Sequence, residues 1–127
     1  MNYQLLASHV SFEENDAMLV FAFSANEGGA AKYLMFQYPL QTDEQDRCLH
    51  LDGLYIERDD QLFGCYRGVR SIRRVDGGIE IDLNDEGQRR LKVERMVITP
   101  VRWNPAIDQG LARLAELSDG DYYVQIQ

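Results

Sequence analysis

The segment LHLDGLYIERDDQLFGCYRGVRSI, residues 49–72, brings together side chains that could do chemistry. His50, Glu57 and Cys65 could supply a base, an acid and a nucleophile if the fold placed them in one pocket. A catalytic acid or base also needs a perturbed pKa, and spacing along a chain shows neither the pocket nor the pKa. A small enzyme or ligand-binding domain with its pocket near these three residues is therefore kept as an alternative.

Three carboxylates in the same segment have a simpler interpretation. Glu57, Asp59 and Asp60 stand beside Arg58 and Gln61, a composition typical of a solvated turn between two strands. We favour a solvated turn over general acid or base catalysis at these positions.

The sequence contains no recognisable metal-binding or cofactor-binding motif. Cys48 and Cys65 lie at no spacing typical of a zinc or redox site, and His9 and His50 have no second His or Cys at ligand spacing. A glycine-rich phosphate loop and a nucleophile elbow are also missing from the sequence. We expect two reduced thiols, no metal, no cofactor and no catalytic residue.

The size of the chain limits its organisation. Its 127 residues and 14.6 kDa predict one domain over residues 1–127. The longest apolar run, Ala17–Phe23, is much shorter than the ~20 residues that cross a bilayer. The N-terminus lacks the basic and apolar regions of a secretory signal. We therefore expect a cytoplasmic protein without a membrane partner.

The charge of the chain bears on its partners. The formal net charge is −8, and residues 1–60 alone carry 3 basic and 11 acidic side chains. Because binding to a phosphate backbone depends on Lys and Arg, direct nucleic-acid binding is disfavoured. A basic protein partner would be attracted to the acidic half, although the same charge could serve solubility alone.

Aromatic and aliphatic runs in the first half predict strands. Those over Tyr3–Phe12, Met18–Phe23 and Lys32–Leu40 are separated by turn-like residues, which predicts a three-stranded meander. The run Met18–Phe23 is apolar on both faces and should be central. A further strand, Leu54–Arg58, follows a polar connection.

The sequence SIRRVDGGIEIDL, residues 71–83, predicts a hairpin. Asp76, Gly77 and Gly78 suit a tight turn, after which alternate aliphatic residues should face inward. Arg73 or Arg74 opposite Glu80 or Asp82 would form cross-strand ion pairs on the solvated face.

Two helices follow from capping residues, and they complete the predicted fold. Asn84 is the N-cap of a short helix, while Asn104 followed by Pro105 begins an amphipathic C-terminal helix. The final DYYVQIQ is either an edge strand or an ordered tail. The sequence thus predicts an α+β fold: a mostly antiparallel sheet of about six to seven strands, with one short helix and the C-terminal helix packed on the sheet.

The middle of the chain, Tyr33–Leu83, resembles the immunity protein 10 family of bacterial polymorphic toxin systems, and the resemblance extends to about Ile98. It depends on residues in a fixed order and spacing: Phe36, Gln37, Asp43–Asp46, Gly53, Tyr55, Glu57, Gln61, Tyr66, Gly68 and Val69. The chain departs from the family pattern at Leu62–Cys65, where small polar residues are usual, and at Arg67, where a second glycine is usual. These departures place bulk and a positive charge beside the family turn.

The resemblance implies a cytoplasmic protein that binds and neutralises a cognate toxin domain, by covering or distorting its active site. Such a protein is not an enzyme; it needs a surface of about 800 Å² centred on aromatic and charged anchors. The candidate partner-binding residues are Tyr55, Glu57, Asp59, Asp60 and Tyr66, and the candidate structural residues of the motif are Gly53, Gln61 and Gly68.

The oligomeric state stays open between monomer and homodimer. A third hypothesis is a self-associating scaffold with Tyr122 and Tyr123 at an exposed strand edge.

Overall fold

A computed structural model describes residues 2–27 and 30–126 of the protein. It is an α+β structure in which ten strands form two five-stranded sheets, accompanied by three helices. The strand count exceeds the predicted six to seven, and a single sheet is replaced by two. None of the helices in these two ranges is long and apolar enough to span a membrane.

The first sheet is mixed. Its strand order is β1-β9-β8-β7-β10, with β1 parallel to β9 and β10 parallel to β7. The expected antiparallel arrangement therefore holds only for β7, β8 and β9. The strands are β1 (Asn2–Ala7), β7 (Val69–Val75), β8 (Gly78–Leu83), β9 (Arg95–Pro100) and β10 (Tyr123–Gln125).

The second sheet is antiparallel throughout. Its order β2-β3-β4-β5-β6 follows the chain, so the predicted meander is confirmed and β3 lies inside the sheet, next to the middle strand. The strands are β2 (His9–Glu14), β3 (Met18–Glu27), β4 (Ala30–Pro39), β5 (Tyr55–Arg58) and β6 (Asp60–Tyr66).

The expected single strand over Tyr3–Phe12 is wrong. The chain breaks at Ser8 and passes from the first sheet into the second. In β1 the odd-numbered Tyr3 and Leu5 are buried, whereas in β2 the even-numbered Val10 and Phe12 pack against the core. The break at Ser8 therefore shifts the buried positions from odd to even numbers, which an uninterrupted strand would not do.

The predicted hairpin is confirmed. β7 and β8 pair around Asp76 and Gly77, and Gly77 has the positive φ of +73° that this turn requires. Arg73 pairs with Glu80 as expected. Arg74 does not join it, because it is opposite Ile79 and lies on the other face of the hairpin. Its guanidinium pairs with Asp108 and lies 4.1 Å from the centre of the Trp103 ring.

Residues 2–27 and 30–126 contain three helices. The predicted helices are α2 (Asp85–Leu91), capped by Asn84, and α3 (Pro105–Glu116), capped by Asn104. A third, α1 (Glu44–Cys48), lies in the segment predicted to be a polar connection. It begins with a capping box, in which the side chain of Asp43 accepts a hydrogen bond from the backbone N–H of Asp46, and the side chain of Asp46 accepts one from the backbone N–H of Asp43.

One core joins the two sheets and α3. The largest fully buried side chains come from both sheets, with Phe21, Phe23 and Phe36 from the second. Helix α3 buries the apolar stripe that the sequence predicted and contacts β2 and β10. Gly110 allows the helix to pack closely, since an added Cβ would lie 2.6 Å from the ring of Phe21.

We predict that Gly110→Ala destabilises the protein by about 1–3 kcal/mol, although alanine is the better helix former. The new methyl group would overlap the fully buried ring of Phe21. Urea unfolding measures the change. Gln109→Ala, at an exposed neighbouring position, is the control and should shift stability by at most a few tenths of a kcal/mol. Equal stability of the two variants would contradict the close packing of α3 on β3.

Candidate partner-binding face

The outer face of the second sheet, the face turned away from the core, holds three of the sequence-predicted partner-binding residues. Tyr55 and Glu57 lie there on β5 and Tyr66 on β6, because the alternating Ile56 and Cys65 point into the core. Tyr55 is opposite Tyr66 in the register, and the two ring centroids are 4.9 Å apart. The structure therefore brings these three residues together on one surface.

Glu57 is the buried charge of this face. It is only 5 % exposed, and its carboxylate accepts hydrogen bonds from the hydroxyls of Tyr33 at 2.5 Å and Tyr55 at 2.6 Å. The expected solvated turn is wrong for Glu57, because the residue lies inside β5 and pairs across the sheet with both neighbouring strands.

Tyr33 was missed by sequence reasoning. It lies on β4, two residues before Met35, which is directly opposite Glu57. Residues two apart on a strand share a face, so the hydroxyl of Tyr33 can reach the carboxylate diagonally. Only the register of β4 against β5 reveals this contact, and nothing local in the sequence encodes that register.

Gly64 creates the space for the second tyrosine. It is opposite Glu57 in the register, and a Cβ added to it would collide with the hydroxyl of Tyr55. The side chain of Tyr55 thus lies across the glycine to reach Glu57.

The two tyrosines remain protonated donors. Burial first, and then the hydrogen bond to Glu57, raises the pKa of Tyr33 and the pKa of Tyr55 well above the ordinary tyrosine range. Within the part of the chain that the structure describes, no Lys or Arg forms an ion pair with Glu57. Its two hydrogen-bond donors are therefore both neutral.

The outer face carries no Lys or Arg in the described ranges. Around the buried Glu57, its exposed and half-buried positions mix polar, aromatic, thioether, aliphatic and acidic residues: His9, Ser11, Glu13, Val20, Ala22, Ser24, Tyr33, Met35, Gln37, Tyr55, Gly64 and Tyr66. The outer face of the first sheet differs, because Arg73 and Arg95 there pair with Glu80 and Asp82.

Of the remaining acidic candidates, Asp59 forms the tight connection from β5 to β6, and Asp60 is the first residue of β6. Asp59 has a positive φ of +63° and accepts hydrogen bonds from the hydroxyl of Tyr3 and the backbone N–H of Tyr33. Asp60 is exposed and accepts from the backbone N–H of Leu62. Asp59 therefore ties the connection to two strands, while Asp60 and the exposed Gln61 stay near solvent.

The motif glycines serve close packing. Gly53 has a φ of +85°, and an added Cβ would lie 3.0 Å from the guanidinium carbon of Arg67. At Gly68 a Cβ would lie 2.8 Å from the Sγ atom of Cys65. Arg67 itself has a φ of +55°, a region that favours glycine, and it pairs with Asp52 and Asp121.

The alternative pocket around His50, Glu57 and Cys65 does not form. His50 and Cys65 line a surface cavity of about 450 Å³ with Glu86 and Arg90, but Glu57 lies on the opposite face of the second sheet. Burial raises the pKa of the Cys65 thiol, which disfavours the reactive thiolate. The arrangement therefore lacks the shared acid, base and nucleophile that the alternative requires.

Of the two tyrosines predicted for a self-association contact, only Tyr123 is exposed. β10 is an edge strand, as one of the two interpretations of DYYVQIQ expected, and Tyr123 on it is 61 % exposed. Tyr122 is buried instead, and its hydroxyl donates to the backbone oxygen of Leu114. Tyr122 is thus a core residue and is not available for contact with another copy. Gln127 lies outside the described residues.

These features define an α+β protein of two sheets, one of which has a tyrosine-rich, acidic outer face. Residues 6–104 match the family model described as Immunity protein 10, and the chain belongs to this family. Membership indicates a role in toxin immunity and a protein toxin as the general class of partner. No curated protein and no solved structure matches the chain.

We predict that Gly64→Ala displaces the side chain of Tyr55 from Glu57. Because the colliding atom is the end of a rotatable side chain, the fold should persist while the Tyr55 hydroxyl turns toward water. The pKa of Tyr55 should then fall toward its ordinary range. Absorbance titration of tyrosine, with Tyr55→Phe subtracted from each background, isolates this residue. An unchanged Tyr55 titration in Gly64→Ala would contradict the packing of the ring over Gly64.

Stability should also depend on alkaline pH. The unfolded chain ionises tyrosine near about pH 10, whereas the folded chain holds Tyr33 and Tyr55 protonated at that pH. Their contribution is thus complete below about pH 10 and is lost as the pH rises beyond it. Between about pH 9 and 11, the free energy of unfolding measured with denaturant should fall less steeply for Tyr55→Phe than for wild type. Tyr123→Phe, at an exposed position, is the control and should keep the wild-type slope.

Proposed function

We propose that this protein neutralises a cognate toxin domain by binding it and covering or distorting its active site. Membership of the Immunity protein 10 family over residues 6–104 is the observation that carries the proposal. Neutralisation by binding needs no catalytic group in the immunity protein, in keeping with the separation of Glu57 from His50 and Cys65. The proposed site of action is the cytoplasm of the cell that makes the toxin.

The outer face of the second sheet is the proposed contact surface. It presents Tyr55, Tyr66 and Tyr33 around Glu57, and tyrosine is among the residues enriched where protein interfaces gain most of their energy. Its acidic character and lack of cations would favour a basic toxin surface, as charge complementarity requires. Asp60 borders this face, whereas Asp59 would act mainly by holding the β5–β6 connection in place.

Rescue of cell growth tests the proposal. The chain and the toxin domain encoded in the adjacent reading frame would be co-expressed, with the toxin alone as the reference. We expect growth with both proteins and arrest with the toxin alone. Arrest despite a folded, abundant immunity protein would overturn the proposed function.

A matched pair of arginine variants tests the contact surface. Gln37→Arg places a cation on the outer face of the second sheet beside Tyr55, and Thr99→Arg places the same charge on the outer face of the first sheet. We expect Gln37→Arg to weaken binding of an inactivated toxin by about 10-fold or more. Thr99→Arg should bind as wild type does.

Isothermal titration calorimetry measures both affinities, and thermal unfolding checks that both variants fold. If growth rescue holds but the two variants bind equally well, the proposed function stands and the toxin contacts another surface.

A further inference from the structure

Among the described residues, no Lys or Arg forms an ion pair with Glu57, although other carboxylates of the protein do have such partners. On the first sheet, Glu80 and Asp82 lie between Arg73 and Arg95. At the end of β2, Glu14 receives two hydrogen bonds from Arg113. Glu57 is more buried than any of these carboxylates, yet its hydrogen bonds come from two neutral hydroxyls.

The Glu57 carboxylate can accept further hydrogen bonds. An ionised carboxylate offers about four lone-pair positions, and Tyr33 and Tyr55 occupy one on each oxygen. The two hydroxyls also fix the orientation of the group before any partner arrives. A cation that reached it would gain more than it would at a solvated carboxylate, because the surroundings screen the charge less.

Aromatic rings stand beside this charge. Tyr55 carries one of the two donating hydroxyls, and its ring lies 4.9 Å from the ring of Tyr66 at an angle of 51°. The faces of tyrosine rings attract cations, and the attraction grows when water is excluded. The protein itself uses this contact elsewhere, since the guanidinium carbon of Arg58 lies 4.2 Å from the ring centre of Phe63.

We propose that Tyr33, Tyr55, Glu57 and Tyr66 form a receptor for one cationic side chain, a lysine or an arginine, on the toxin surface. This inference depends on the proposed function and adds to it the chemistry of the partner group. The tyrosine rings contact the aliphatic stem and the charged head of the incoming side chain, while the Glu57 carboxylate supplies the opposite charge. The burial of Glu57 then serves binding, because the toxin supplies the cation that this carboxylate lacks in the free protein.

Binding of an inactivated toxin to Glu57→Gln tests the receptor. The amide keeps the shape of the side chain and removes its charge. We expect the dissociation constant to rise by about 30-fold or more, mainly through faster dissociation, because a toxin cation would be buried without its counter-charge. Surface plasmon resonance measures both rates. Glu13→Gln removes the same charge from an exposed position on the same face and should change the affinity by less than about 3-fold.

A second measurement identifies the toxin residue and keeps the proposal testable if Glu57→Gln does not fold. Each exposed Lys and Arg of the toxin is replaced by Gln and titrated against the wild-type immunity protein. One replacement should weaken binding by about 30-fold, and it should have little further effect when combined with Glu57→Gln. If Glu57→Gln does not fold, Tyr66→Leu takes its place in the combination, and the effect of the toxin replacement should then be smaller than in the wild-type background. If no replacement does so, or if a folded Glu57→Gln binds as wild type, the receptor is overturned. Growth rescue by the wild-type protein would still support the proposed function.

Discussion

The burial of one shared apolar core by two sheets is the constraint on which the other features of this protein depend. In the second sheet, alternate residues of each strand face the core, as Phe21, Phe23 and Phe36 do. The intervening residues are left on the outer face. Glu57 and Tyr55 are on that face because Ile56 between them is fully buried. The geometry of the candidate site is thus a by-product of core packing.

The two outer faces use charge differently. On the first sheet, Arg73 and Arg95 neutralise the carboxylates of β8 within the protein. On the outer face of the second sheet, the described residues include no Lys or Arg, and tyrosine hydroxyls hold Glu57. Holding a carboxylate with neutral donors leaves its charge uncompensated, which is costly for folding and useful for recognition. This difference supports placing the proposed toxin contact on the second sheet.

Two residues beside the motif have clear structural roles. Arg67 adopts a backbone conformation that a glycine would favour, and its guanidinium is engaged by Asp52 and Asp121, so its positive charge is satisfied internally. Gly64 makes room for Tyr55. Both residues therefore fit the local packing of this chain, and Gly64 shapes the candidate site directly.

Local patterns in the sequence were sufficient for the elements that local interactions stabilise. The β7–β8 hairpin follows from Asp76 and Gly77, and the helices α2 and α3 follow from Asn84 and Asn104, because turns and caps are satisfied by neighbours in the chain. The composition and order of residues over Tyr33–Leu83 were also sufficient to indicate the family, since the matching positions lie close together in the sequence.

Long-range pairing decided the rest. The division of the first strand at Ser8 and the parallel pairings of β1 with β9 and of β10 with β7 depend on contacts between distant residues, which hydrophobic alternation does not specify. The same holds for the site: Tyr55 and Glu57 were visible in the sequence, whereas Tyr33 and Gly64 joined them only through the register of three neighbouring strands. Sequence alone thus determined which residue types were available, and the tertiary structure decided that Glu57 is buried between two tyrosine hydroxyls, because burial depends on the whole fold.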